Sequence, residues 1–527
     1  MTLSFDLTHE PWIPAERLDG TVVELSTRDL LGEAHELRGL ADASPLVVAA
    51  LTRHLLAVLH RSYAGPRTMR EWDGIASAKR FDAERVAAYL DSVAERMDLF
   101  HPTHPFAQTR GLLQQFAEYV DPIDELEVAR SWWGGGRALF RHRPMDPPPV
   151  MSAGRAARAL LAHHAFATGG LVKKPGEPVA ATAAPLVRAG VVILRGATLF
   201  ETLVSNLLKY DPAESSPIST GGSVDACSWE QPAPPAQLPV AKEPKQALLG
   251  YLDLLTWLSR RVELVHEGPV ITGFINAVGK GLRDDPPRDP MVTYRRDEER
   301  GWVSIGINPE RAFWRDAGAL FEAGRGESAK YERPHAVALV TRPEALDALG
   351  TSRMYSVETF GIAAEKSRID AVRVERIHAV ARTLNDSDAR SAVETSLEFA
   401  QGVVAALRGS LWVFARHALS PGGRDPDTKD IKGLVKSIGA EEAAWSALGV
   451  EFDGLMRDLA DDPDAAATGF ARRARAVARD VFQRATDRPD GSGRWLKARA
   501  LAEHSLDKNL PRVPRTAAPL AAEEIHS

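Results

Sequence analysis

Residues 387–419, SDARSAVETSLEFAQGVVAALRGSLWVFARHAL, read as one long helical pattern, and three more follow at 440–459, 465–485 and 494–506. Turns rich in Pro, Gly and Asp at 420–427, 461–464 and 487–493 join them. Amphipathic helices with short connections bury their apolar faces most simply against one another, which predicts an all-α four-helix bundle over 381–527. Upstream the character differs. Trp12, Ile13 and Pro14 precede an Asp19-Gly20 turn and the alternating Val22, Val23 and Leu25, a hairpin pattern. Pro45 opens a helix with Leu46, Ala50, Leu51, Leu55, Val58 and Leu59 on one face, and 82–97 and 155–166 also read as helical. Residues 211–245 form a long irregular connection, and short strands resume at 292–294 and 302–305. The expected fold class is therefore α+β, with a large mixed α/β domain over 1–380 and the bundle after it.

A chain of 527 residues implies two or three packed units. With 65 basic and 71 acidic side chains the formal charge is −6, which excludes binding to nucleic acid by bulk charge, so an anionic partner must be met by a local patch. The single cysteine, Cys227, excludes an intramolecular disulfide and any zinc site with two thiolates, and fits a reducing cytoplasm. The N-terminus lacks a signal pattern, and no run of 18 apolar residues occurs, so a soluble, cytoplasmic protein with no membrane partner is expected.

Catalytic signatures are missing. His101 and His104 are too few and wrongly spaced for a metal site, and His163-His164, adjacent on a helix, point ~100° apart. The chain has no Gly-x-Ser-x-Gly elbow and no His-Glu-x-x-His helix, and 169–174 lacks the Walker spacing. What remains is positive charge beside flexible backbone. Lys173 and Lys174 follow Gly169 and Gly170, where backbone N–H groups and two ammonium ions could meet phosphates, although a plain surface turn would read the same way. Arg137, Phe140, Arg141 and Arg143 form a second basic segment, suited to backbone contacts plus stacking, and Gly279-Lys280-Gly281-Leu282-Arg283 a third. Glu365-Lys366-Ser367-Arg368 is a polar knuckle. Arg472, Arg473, Arg475, Arg479, Arg484, Arg494, Lys497 and Arg499 concentrate charge on the last two helices, a solubilising face or part of a polyanion track.

The order of landmarks resembles the CasA-type large subunit of the type I-E CRISPR surveillance complex, Cascade. The matching strings are Glu10-Pro11-Trp12-Ile13-Pro14, His104-Pro105-Phe106-Ala107-Gln108-Thr109-Arg110-Gly111, Leu139-Phe140-Arg141-His142-Arg143-Pro144, the glycine loop at 168–176, Thr272-Gly273-Phe274 and Ala498-Arg499-Ala500. The resemblance implies a non-catalytic subunit without metal or cofactor. Its implied partners are the other Cascade subunits, the crRNA, double-stranded target DNA and a recruited helicase-nuclease. It further implies recognition of the protospacer-adjacent motif (PAM) and help in opening the duplex. By position, Phe140, Arg141, His142 and Arg143 look like the segment docking on the crRNA side. Gly169, Gly170, Lys173 and Lys174 look like the glycine loop facing the PAM. Lys280 looks like the lysine finger, with Arg283 as a rival, and Glu365, Lys366, Ser367 and Arg368 look like the strand-splitting wedge. A metal-dependent hydrolase using the 101–104 histidines, and an interaction scaffold without DNA contact, are the alternatives.

Overall fold

The structure, a computed structural model, describes residues 3–128, 148–172, 179–214, 216–220, 224–237, 245–321, 329–365, 368–420, 424–487 and 492–514. The fold class is α+β, as expected. The chain divides into two compact units, one of 1–313 with 322–376 and one of 314–321 with 377–527. The expected division lay at 380/381, and nothing in the sequence reading set 314–321 apart.

In the first unit the strands Ile13–Arg17, Val22–Leu25 and Leu37–Leu40 form an antiparallel sheet with Ile13–Arg17 in the centre. Gly20, at φ +90, makes the tight turn between the first two. The helix Pro45–Tyr63 follows, and between Leu46 and His60 its side chains are buried on every face. Such a helix belongs in the core rather than at its edge. Arg53 and His54, which interrupt its apolar pattern, are themselves buried. The Arg53 guanidinium donates to Asp289 Oδ2 at 2.7 Å and to the Leu254 carbonyl at 2.9 Å. His54 lies among Trp12, Phe106 and Trp229, with ring centroids 5.1–5.7 Å away.

The helix Ala153–Phe166 packs on Pro45–Tyr63. A long hairpin, Arg260–Glu267 with Val270–Val278, carries two short added strands, Asp121–Pro122 and Met151–Ser152. A further sheet places Met354–Glu365 between Val191–Arg195 and Arg368–Val380.

The second unit holds the helices Ser387–Ala418, Thr428–Ile438, Ala440–Asp458, Pro463–Thr486 and Gly493–Asn509. Four are the expected ones. Thr428–Ile438 was not, and it follows the 420–427 turn directly. Asp386, Asp427, Asp462 and Ser492 accept backbone N–H groups at four of the helix starts. Gly439, at φ +67, ends one helix and begins the next. Ser387–Ala418 packs along Gly493–Asn509 and Pro463–Thr486, and the latter packs on Ala440–Asp458. Their core is Ala, Leu and Phe: Leu407, Phe414, Leu448, Phe452, Phe470, Ala474, Phe482 and Ala502 are fully buried. Trp314, from the inserted segment, lies 4.9 Å from the Phe452 ring and 5.8 Å from Trp445.

Candidate nucleic-acid interface

Gly170–Val172 pairs antiparallel with Val179–Ala181, with Leu171 opposite Ala180. Strand alternation turns Val179 and Ala181 inward onto Val278, with Val172 against them, and leaves Leu171 74% exposed. The feet of this hairpin are tied by one buried side chain. Arg260 donates through Nη2 to the Thr168 and Thr182 carbonyls, both at 2.9 Å, and through Nη1 to the Ser259 carbonyl. A Cβ on Gly169 would stand 3.0 Å from the Ala183 nitrogen and 3.2 Å from the Ala181 oxygen, and Gly170 adopts φ +147. Both glycines are therefore required by local backbone geometry.

The second basic loop starts where the first hairpin rests. Val278 ends its strand, and Gly279 crosses Arg260 so closely that a Cβ would lie 2.5 Å from the Ser259 oxygen. Lys280 follows. Its Nζ is 5.6 Å from the Trp257 ring centroid and 3.5 Å from Gln231 Oε1, and its carbonyl accepts Trp257 Nε1–H at 3.2 Å. Gly281 and Leu282 pair in parallel with Lys245 and Gln246. Arg283 is exposed, with its N–H bonded to the Gln246 carbonyl at 3.1 Å. Gly169, Gly170, Lys280 and Arg283 thus belong to two loops braced on one strand end.

Glu365 and Arg368 sit on a different sheet, at the facing ends of Met354–Glu365 and Arg368–Val380. Arg368 bonds to Asp370 at 2.8 Å and approaches Glu365 Oε2 at 3.4 Å, so its charge is met inside its own hairpin. Lys173, Lys174, Lys366, Ser367, Phe140, Arg141, His142 and Arg143 lie outside the described residues, as does Arg137.

The other motifs serve the fold. Trp12 is fully buried, donates to the Leu7 carbonyl at 2.8 Å, and accepts Arg158 at its own carbonyl. Gln108 bonds the Leu99 carbonyl and the Leu264 N–H, Thr109 N–H the Val262 carbonyl, and Arg110 the Glu263 carboxylate. Together they seat the 104–111 string along the strand Arg260–Glu267. His101 Nδ1 accepts the His104 N–H at 3.0 Å, which makes that pair a turn device. His163 and His164 face different partners, Asn276 and the Ala107 carbonyl, and burial lowers them to about 3 and about 4. Burial pushes the Cys227 thiol well up, so it is held protonated. Among the described residues no group of three His, Cys, Asp or Glu side chains is placed to hold a metal ion. None of their helices is long and apolar enough to cross a membrane.

Four of the eight bundle cations named above are met by acids. Arg473 pairs with Glu451, Arg479 with Asp507, Arg484 with Asp480 and Arg499 with Asp487, while Arg475 donates to the Leu510 and Pro511 carbonyls. Conversely, Arg260, Trp257 and Gln231 position the loops and went unnoticed in the sequence. A close Gly279-Lys280 turn facing an Arg-Arg strand start was the only local hint.

Fold and site together define a class: two-unit α+β proteins that present glycine-flanked cationic loops from a polar, cross-braced core. Residues 6–487 match the family described as CRISPR-associated protein Cse1. The chain is 30% identical over 515 residues to the CRISPR-associated protein CasA/Cse1 of Thermus thermophilus, covering 96% of this chain and 97% of the relative. It belongs to the CRISPR-associated Cse1 family. Thermobifida fusca Cse1 superposes with a TM-score of 0.78 at 25% identity, covering 97% of this chain and 98% of the other. A chain of a structure described as a CRISPR RNA-guided surveillance complex shares the fold, with a TM-score of 0.73 at 22% identity over 96% of this chain and all of the other.

Proposed function

We propose that this chain is the large, non-catalytic subunit of a CRISPR RNA-guided surveillance complex that acts in the cytoplasm. There it binds double-stranded target DNA at the PAM, helps open the duplex, and offers a platform to a helicase-nuclease. The observation that carries this reading is the bracing of the glycine hairpin and the Gly279–Arg283 loop on one strand end. Gly169 lets the hairpin close on 181–183, exposed Gly170 leaves backbone free to approach base edges, and Lys280 and Arg283 supply the cations. The minor groove presents a degenerate pattern suited to a tolerant reader of a short motif, while guide pairing reads the remaining sequence. Lys173 and Lys174, which follow Val172 in the sequence, are assigned to the same DNA contact. Glu365, Lys366, Ser367 and Arg368 act as the wedge, which unstacks DNA for roughly a few kcal/mol per step. Phe140, Arg141, His142 and Arg143 dock toward the crRNA and the other subunits.

The test is duplex binding by the reconstituted complex across a salt series. K173A/K174A and R283A are expected to weaken binding and to lower the salt slope by about one unit for each phosphate no longer neutralised. Unchanged affinity and slope in both variants would overturn the DNA assignment.

A further inference from the structure

Lys280 does not project freely, and the groups that hold it form a connected set. Gln231 is the middle of that set. Its amide nitrogen donates to the Ala226 carbonyl at 3.0 Å and to Asp253 Oδ1 at 2.8 Å. Both amide hydrogens are thereby engaged, which fixes the amide orientation and turns Oε1 toward the Lys280 ammonium. Asp253 is anchored in turn by the Leu249 N–H at 3.0 Å. On the other side Trp257 acts twice, its indole N–H holding the Lys280 carbonyl and its ring lying beneath the ammonium. An ammonium at this distance from an indole face is attracted by the ring quadrupole. The backbone immediately before it cannot slide, because Gly279 is packed against Ser259 and Arg260.

From this arrangement we infer that Trp257 and Gln231 are positioning residues that hold the Lys280 ammonium at the foot of the glycine hairpin, oriented for a phosphodiester oxygen. The inference rests on the DNA-binding reading above and adds to it the residues that aim the charge. A long lysine side chain loses rotamer freedom on ordering. Trp257 and Gln231 remove that freedom before DNA arrives, so less is lost on binding.

The test uses the reconstituted complex and a labelled target duplex carrying the PAM, with K280A, W257L, W257F, Q231L and the K280A/W257L and K280A/Q231L pairs. K280A is expected to weaken binding about fivefold and lower the salt slope by about one unit. W257L and Q231L should each give about threefold weaker binding alone and no further weakening on top of K280A. W257F, which keeps an aromatic face but removes the N–H that holds the Lys280 carbonyl, should bind more tightly than W257L and more weakly than the unsubstituted complex. Additive effects in the paired variants would overturn the positioning role while leaving the DNA reading intact. An unchanged affinity and slope in K280A would instead remove Lys280 from the DNA track, and this inference with it. Q231L, which leaves the indole in place, keeps the test decisive if W257L lowers the yield of folded complex.

Discussion

In the first unit Arg53, Arg260, Glu263, Asp225, Asp253 and the histidines 54, 60, 163 and 164 all lie within the core, whereas the buried polar side chains of the second unit, among the described residues, are the hydroxyls of Thr383, Ser396, Ser410, Thr468 and Thr486. The second unit keeps its charges outside, in pairs such as Arg479 with Asp507 and Arg408 with Glu441. The difference follows from the backbone. Long helices satisfy their own N–H and C=O groups, so their shared interior can be Ala, Leu and Phe. Short strands and irregular connections leave backbone groups that buried side chains must meet. Arg260 meets two loop carbonyls, Asn206 bonds the Leu194 carbonyl, and Asp225 accepts the Leu252 and Asp253 N–H groups. Charge is buried where loops must be pinned.

Acid should expose this contrast most strongly. Burial lowers His54 and His163 to about 3 and His60 and His164 to about 4, from 6.5. The unfolded chain therefore binds protons that the folded one refuses, and stability falls as pH drops below 6.5 toward those values. At pH 5.5 each histidine removes about 1.3 kcal/mol relative to neutral pH, and the four together about 5 kcal/mol. In the second unit the sign is the same but the window is lower. Burial raises Asp453, yet the His378 backbone and ring and Arg457 outweigh it, and Arg408 holds Glu441 down. Those carboxylates stay charged until the pH falls below the usual carboxylate range. Hydrogen exchange by mass spectrometry between pH 7.5 and 5.5 should show amides of Pro45–Tyr63 and Ala153–Phe166 losing protection first. Equal loss in Pro463–Thr486 would break the comparison.

Substitutions give the next two steps. R53A strands the Asp289 carboxylate in the core and is expected to destabilise the first unit by about 3–5 kcal/mol in urea unfolding. R479A removes an exposed pair and should change stability by less than about 1 kcal/mol. If the two effects were alike, burial would not be what separates the units.

Much of the second unit was legible in the sequence because helical periodicity is local. Thr428–Ile438 escaped although Ile431, Leu434, Val435 and Ile438 recur at helical spacing, because the segment is short, adjoins a turn-rich stretch and buries only Ile431. In the first unit the glycine and lysine loops stood out by composition. Their bracing did not, since Arg260 reaches residues 78 and 92 positions away and Trp257 meets Lys280 across 23. Arg53 and His54 read as interruptions of an apolar run, and their burial depends on Asp289 and Trp229, far along the chain. The bundle arginines show the opposite failure. Their charge was plain in the sequence, while the acids that cancel much of it lie on neighbouring turns and helices.

The segment Trp314–Phe321 reaches into the second unit from the middle of the chain, and it governs how that unit can be isolated. A fragment starting at residue 377 would leave the faces of Trp445 and Phe452 without their indole cover and Gly449 beside a void. Such a fragment should be sticky and poorly soluble, and supplying 314–321 as a fused or added peptide should restore a clean monomer. For anyone dissecting the protein, the divide between its halves is an address in space and cannot be reached with a single cut.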